Sequence, residues 1–157
     1  MKKGFTLIEL IITLFISNII ILMGTNMIFN GALEYKKAIK QDREKNYCTE
    51  ALRFIETQIE DKDNKDISVN HGELVIKKNT SDKENIIKKI KLYKKADKLQ
   101  ITYYKKDNFK LNTNTIINNI EQFDVYRDKN VIYVGIESES GKKYERCFGI
   151  KVGKKVS

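Results

Sequence analysis

The sequence contains no proline and no tryptophan, and its 157 residues include one histidine, two cysteines and eight glycines. A zinc site or a Ser-His-Asp triad would have to be assembled from too few parts. The histidine, His71, stands in the turn sequence Asn70-His71-Gly72. The glycines are scattered and form no phosphate-binding loop. We therefore expect no enzymatic activity, no cofactor and no metal site.

Charged residues are nearly absent from the stretch between Phe5 and Met23, where Ile, Leu, Phe, Met and Thr predominate. A run of about 19 such residues is enough to cross the hydrocarbon core of a membrane. Glu9 is the exception, and a charge at the centre of a spanning helix costs roughly 3 kcal/mol. Glu9 lies nearer the end of the run, where the cost is smaller. An unpaired carboxylate in lipid nevertheless requires a partner.

The segment Lys3-Gly4-Phe5-Thr6-Leu7-Ile8-Glu9-Leu10 resembles the prepilin signal of type IV pilins and pseudopilins, in which a short basic leader ends in glycine before phenylalanine. The resemblance implies that a prepilin peptidase cuts between Gly4 and Phe5 and methylates the new amine of Phe5. It also implies that the apolar helix packs into a filament core, where Glu9 pairs with the amino terminus of a neighbouring subunit. The implied partners are other pilin or pseudopilin subunits, the peptidase and a membrane assembly platform.

Two simpler interpretations of the apolar stretch are a secretory signal and a plain single-pass anchor. A secretory signal has a shorter apolar region and ends in small residues, whereas residues 24–29 continue the apolar pattern. A plain anchor explains the hydrophobicity but gives no reason for Gly4-Phe5 or for Glu9. Positive charge before the span keeps that end in the cytoplasm. We therefore expect the rest of the chain to lie outside the cell membrane.

The sequence divides into four segments. Residues 1–4 form the leader, residues 5–29 the transmembrane and filament-core helix, residues 30–60 its amphipathic continuation, and residues 61–157 a β-rich head domain. The composition of the continuation suits a helix, and apolar residues recur on one helical face at Cys48, Leu52, Ile55 and Ile59. Major pilins usually bend this helix at a proline. None is present, so the chain is more similar to minor pilins and pseudopilins.

Beyond residue 61 the pattern changes to short runs rich in Ile, Val and Tyr. These runs predict strands over residues 73–78, 86–93, 98–105, 123–127, 131–138 and 144–152, with turns at 128–130 and 138–141. Residues 115–122 fit either a short helix or another strand. The helical stripe can cover one face of the sheet. The predicted fold class is α+β, a long N-terminal helix packed on an antiparallel sheet, as the resemblance to pilins also implies.

The two cysteines permit two arrangements. Cys48 falls on the predicted helix and Cys147 on the last predicted strand, and a disulfide is chemically permitted outside the membrane. It would close a loop of about 100 residues, worth on the order of 4–5 kcal/mol in the chain-entropy model. Two reduced cysteines packed as small hydrophobic residues are the alternative.

The chain carries 30 basic and 21 acidic residues, a net charge of +9. This balance favours anionic partners, although abundant lysine can also reflect genome base composition. Between residues 88 and 110 lysines alternate with aromatic residues, as in grooves that bind single-stranded nucleic acid. The candidate nucleic-acid patch consists of Lys94, Lys95, Lys105 and Lys106. The alternative is a sheet whose exposed face carries the lysines while the aromatic side chains point inward.

The acidic stretch Asp61-x-Asp63-Asn64-x-Asp66 places oxygen ligands at alternate positions, as calcium sites do. It lacks the glycine and distal glutamate of an EF-hand loop, and two interleaved lysines would repel a cation. A solvated connector is therefore the better interpretation.

Together these features predict a non-enzymatic structural subunit, a minor pilin or pseudopilin of a type IV pilus-like filament. The alternatives are a DNA-binding pseudopilin of a competence pilus and an unprocessed, membrane-anchored extracellular domain. The sequence does not distinguish protein secretion from DNA uptake as the purpose of the filament.

Overall fold

The computed structural model describes residues 6–79, 85–105 and 109–150. By its contacts the chain divides into two units, Met1–Asp42 and Arg43–Ser157. The first unit holds most of a long helix, α1 (Leu7–Ile59), and the second unit holds the end of α1 together with the strands. The second unit is called the head below.

Helix α1 runs from Leu7 to Ile59 with no proline to interrupt its hydrogen bonds. Asn64 caps its end, because Nδ2 donates to the carbonyl oxygens of Gln58 (2.7 Å) and Ile59 (2.9 Å). Carbonyls of the last turn have no partner within the helix, so this side chain satisfies them. The predicted helical stripe is confirmed. The buried residues of α1 are Cys48, Ala51, Leu52, Ile55 and Ile59.

Strands β1 to β5 form a five-stranded antiparallel sheet, called sheet A, in which strands adjacent in sequence are adjacent in space. Their bounds are β1 Asn64–Asn70, β2 Glu73–Asn79, β3 Asn85–Tyr93, β4 Lys98–Tyr104 and β5 Lys110–Asn118. His71 and Gly72 make the tight turn between β1 and β2, with φ of 49° and 76°. Positive φ at both central positions defines the hairpin turn that matches strand twist. A 3₁₀ turn, Lys94–Ala96, joins β3 to β4.

Strands β6 to β8 form a three-stranded antiparallel sheet, called sheet B. Their bounds are β6 Ile120–Asp128, β7 Val131–Ser138 and β8 Lys143–Gly149. Both predicted turns lie between these strands, and Lys129 (φ 48°) and Gly141 (φ 76°) provide their left-handed residues. Arg127 of β6 links the sheets, since its guanidinium donates to the carbonyl oxygen of Ile67 in β1.

The structure corrects one sequence prediction and decides a second that left two alternatives. The connector predicted over residues 61–66 is wrong from Asn64 onward, where β1 begins. The polar residues Asn64, Lys65, Asp66 and Ser68 concealed this strand, because its place depends on pairing with β2 rather than on its own hydrophobicity. Residues 115–122 are strand rather than helix: they contain the end of β5 and the start of β6, separated by Asn119 with φ of 58°.

One hydrophobic core fills the head between the end of α1 and the inner faces of both sheets. Ile55 on the helix and Ile90, Ile101 and Ile132 on the strands are completely buried. Along β7 the side chains alternate strictly between buried and half-buried, so one face of sheet B covers the core. The fold is α+β, a long N-terminal helix packed on antiparallel sheets, as predicted.

Candidate functional site

The first turns of α1 expose large apolar side chains. Leu7 is 81% exposed, and most large apolar residues from Ile8 to Phe29 are also exposed. Among the described residues, α1 is the one helix long and apolar enough to cross a membrane, judged by length and composition. Exposure of so many Ile and Leu side chains to water is unfavourable, so this segment requires lipid or other apolar surfaces around it.

Hydroxyl groups within the apolar segment bond to the helix itself. Thr13 Oγ1 donates to the carbonyl oxygen of Glu9 (2.9 Å), Ser17 Oγ to that of Thr13 (2.7 Å), and Thr25 Oγ1 to that of Leu22 (3.0 Å). A polar group without a partner is costly in hydrocarbon. Because these hydroxyls are satisfied locally, they do not oppose burial of the segment in lipid or against other helices.

Glu9 and Thr6 form a capping box at the start of α1. The main-chain N–H and the hydroxyl of Thr6 both donate to Oε2 of Glu9 at 2.9 Å. In return the N–H of Glu9 lies 3.4 Å from the Thr6 hydroxyl oxygen. The pattern Thr-x-x-Glu is the usual form of this motif, and it satisfies amides that the helix leaves unpaired. Glu9 therefore has a local structural role in addition to the charge pair that the resemblance implies.

Thr6, Glu9, Thr13 and Ser17 lie on one face of the helix, because steps of three or four residues return to the same side. Gly24 continues this face, and a Cβ added there would meet nothing within 4 Å. Glu9, the candidate charge-pair residue, thus belongs to a strip of small and polar side chains within a mostly apolar segment of α1. Gly4 and Phe5, the predicted cleavage and methylation positions, lie outside the described residues.

The acidic stretch after α1 binds lysines of sheet A. Asp61 Oδ2 accepts from Lys78 Nζ at 2.8 Å, and Asp63 Oδ2 lies 3.0 Å from the same nitrogen. The hydrogen bond from Lys78 lowers the pKa of Asp61, and its two aspartate partners raise the pKa of Lys78. These carboxylates are thus engaged by ammonium groups rather than arranged around an ion. Among the described residues no group of three His, Cys, Asp or Glu could hold a metal.

Lys88 is the buried member of this junction. Its side chain points toward the core with 8% exposure, and Nζ donates to Gln58 Oε1 at 2.8 Å and lies 3.6 Å from Asp61 Oδ2. Burial lowers the pKa of Lys88, partly opposed by the charge of Asp61. The junction ties the end of α1 to β2 and β3 and has a structural role.

The structure does not bring the candidate nucleic-acid patch together. Lys94 and Lys95 lie in the turn between β3 and β4, whereas Lys105 follows the other end of β4. At about 3.3 Å per residue, the seven residues from Lys98 to Lys105 separate these groups by about 23 Å. Lys106 lies outside the described residues.

The aromatic residues of that stretch do not form a common stacking surface either. Tyr103 packs against the core, while Tyr104 lies on the opposite face of sheet A with Lys89 Nζ 5.0 Å from its ring centre. Lysines and aromatic residues therefore occur on both faces of sheet A. This arrangement matches neither a nucleic-acid-binding groove nor a sheet with all its lysines outside and all its aromatic residues inside.

Both cysteines are free thiols. Cys48 is buried in the core, where burial raises the pKa of its thiol to about 11. Cys147 is exposed on the other face of sheet B, because its neighbour Phe148 points into the core. The disulfide considered in the sequence analysis is not formed in this structure, and the two side chains lie on opposite sides of β8.

Residues 1–25 match the family described as the prokaryotic N-terminal methylation motif. Comparison with curated proteins finds no relative of this chain. The match covers the apolar start of α1, including the Thr6–Glu9 capping box, and ends before the head begins. The chain therefore carries a prepilin-type signal of the kind found in type IV pilins and pseudopilins.

Proposed function

We propose that the chain is a structural minor pilin or pseudopilin subunit of a type IV pilus-like filament, and that it is not an enzyme. The observation that carries the proposal is the methylation motif over residues 1–25 on an exposed apolar helix whose one acidic residue in that segment is Glu9. In this proposal the protein is inserted with its head outside the cell membrane. It is then cut between Gly4 and Phe5 and assembled through α1.

In the proposed mechanism α1 exchanges lipid for the apolar helices of other subunits. Lipid and helix surfaces are similarly apolar, so this exchange by itself costs little and selects no axial position. A charge pair does select one, because a buried carboxylate is stable only where a cation meets it. Glu9 would pair with the methylated amine of Phe5 on a neighbouring subunit. The capping box with Thr6 holds the carboxylate at the helix start while it awaits that partner.

Processing is tested at the native amino terminus. Mass spectrometry of the full protein from its own host is expected to find a chain that begins with methylated Phe5. Replacing Gly4 by leucine is expected to block the cut and leave Met1 in place. The conservative change of Lys3 to arginine is the control and is expected to leave the cut unaffected. A wild-type protein that retains Lys2 and Lys3 would favour the plain-anchor interpretation instead.

DNA capture in a competence pilus has less support, because the candidate lysines are separated along β4. It still makes a distinct prediction, since binding through phosphates must weaken steeply with salt.

A further inference from the structure

The outer face of sheet B is acidic although the whole chain has a charge of +9. Its charged residues are Asp124, Asp128, Glu137, Lys143 and Glu145. Glu137 pairs with Lys143 at 3.4 Å. The other three carboxylates have no ion pair with any lysine or arginine in the part of the chain that the structure describes. This face therefore has an unbalanced negative charge.

Two tyrosines form a flat aromatic surface within the acidic face. The rings of Tyr126 and Tyr133 stack with centroids 4.6 Å apart and an angle of 6° between their planes. Tyr126 is 58% exposed, and Cys147 follows Tyr133 in the cross-strand row. Exposed tyrosine beside unpaired carboxylates is suited to lysine, which binds carboxylates through its charge and ring faces through cation–π attraction.

The next cross-strand row has a glycine at its centre. Gly135 pairs with Asp124 on one side and with Glu145 on the other. A Cβ at Gly135 would lie 3.6–3.7 Å from these two side chains, so both flank the glycine, which itself places no side chain between them. An exposed basic turn can place an ammonium group between the two carboxylates.

The chain has such a turn between β3 and β4. Lys94 and Lys95 are both exposed there, and neither forms an ion pair with a residue in the described ranges. Lys98 begins the next strand opposite Tyr93, which is 46% exposed. The turn thus carries unpaired positive charge and a tyrosine at one end of sheet A.

We propose that the acidic outer face of sheet B binds the Lys94–Lys95 turn of a second copy of this chain. The two surfaces have opposite unbalanced charges, and both are exposed. Because they are different surfaces of one chain, the contact is heterologous and can repeat from copy to copy without closing. The proposal does not depend on the proposed function, since two copies anchored in one membrane can meet without entering a filament.

Cross-linking in membranes tests the contact with full-length chains. One copy carries K95C together with C147S, and a second, differently tagged copy retains the natural Cys147. A short bismaleimide is expected to join the two copies through Cys147, because the other native thiol, Cys48, is buried. K62C in place of K95C is the matched control, since Lys62 is another exposed lysine, and should give at least about tenfold less product.

Charge reversal identifies the partner surface. D124K with E145K is expected to lower the cross-link at least about tenfold, because like charges then face each other. Adding K94E to the K95C copy should restore it. If K94E does not restore the cross-link, the proposal is overturned. It is also overturned if K154E with K155E, introduced into the D124K/E145K copy, restores the cross-link. That result would show that the acidic face binds the basic C-terminus of its own chain. Dimers joined through Cys147 of both copies would also overturn it, because they require the acidic faces to meet each other.

Discussion

The two parts of α1 use the same residue types in opposite ways. Ile16, near the start, is 51% exposed, whereas Ile55, near the end, is completely buried. The end of the helix obtains its apolar surroundings from the strands of its own head. The start obtains none from the residues that the structure describes, so its environment must be lipid or other chains. One helix therefore serves both as a core element of a folded domain and as a segment that requires external partners.

The largest effect is expected at Glu9. In the proposed filament its loss leaves the partner amine buried and unpaired, which costs about 3–5 kcal/mol. E9V and E9Q should both lower incorporation more than about a hundredfold while leaving membrane insertion intact. Quantitative blots of membrane and filament fractions measure this.

Thr6→Val separates the two roles of Glu9. It removes the hydroxyl from the capping box but keeps the carboxylate, and lost caps cost about 1 kcal/mol. We expect near-normal incorporation of T6V. Normal incorporation of E9Q, which retains an oxygen acceptor but no charge, would show that Glu9 acts only as a cap.

A slightly smaller effect is expected in the core of the head. I55A should lower the free energy of unfolding of the head by about 2–5 kcal/mol, because it leaves a cavity between α1 and the sheets. I16A removes the same atoms from the exposed segment and should leave head unfolding unchanged. Denaturant titration of both full-length variants in detergent makes the comparison. Equal destabilisation by the two changes would contradict the division of α1.

An effect of about 1 kcal/mol is expected from the junction between α1 and sheet A. Because Lys78 lowers the pKa of Asp61, the ionised carboxylate stabilises the head above the ordinary aspartate pKa. This stabilisation is lost as pH falls through the lowered pKa of Asp61, because the carboxylate is then protonated in the folded state as well as in the unfolded state. D61N should therefore destabilise the head near neutral pH and have little effect at about pH 2.

Asp66 provides the control for that measurement. Its pair with Lys77 is longer, at 3.5 Å, and both side chains are about half exposed (50% and 52%). Exposed pairs contribute little, so D66N should change stability less than D61N at every pH. If D61N and D66N lower the stability of the head equally and with the same pH dependence, burial at the junction is unimportant.

The smallest effect on stability is expected at the exposed thiol of Cys147, and the two thiols should differ in reactivity. In folded protein Cys147 should react with a maleimide at neutral pH, whereas Cys48, buried and with its pKa raised to about 11, should react only after denaturation. Mass spectrometry of peptides after timed labelling measures both rates. C147S should leave stability unchanged. Fast labelling of Cys48 in the folded protein would show that the core opens readily.

Several features of this fold followed from local sequence patterns. The stripe from Cys48 to Ile59 depends on helical periodicity, and β7 depends on a run rich in Ile, Val and Tyr; the chain displays both directly. The pattern does not predict β1, because its polar residues are typical of a turn. Its strand conformation depends on hydrogen bonding to β2, which a local pattern does not reveal. The pattern Thr6-x-x-Glu9 also predicts a capping box, a local role of Glu9 that comes in addition to the intersubunit charge pair implied by the resemblance.

The surface sites were harder to predict. Which face a lysine occupies depends on strand register, so Lys88 and Lys89 point to opposite sides of sheet A. The distance between Lys94 and Lys105 depends on β4 running straight between them. The acidic face of sheet B is assembled from three strands, and no local pattern marks it.

The polar contacts of the last turns of α1 have a mechanical consequence. Glu56 Oε2 accepts from Arg146 of β8 at 2.7 Å, and Gln58 Oε1 accepts from Lys88 of β3 at 2.8 Å. The helix is thus fastened to both sheets within a single turn. Tension that draws α1 away from the strands must shear both fastenings together with the apolar packing between them. We expect the head to resist pulling along this helix better than a head tethered through one sheet would.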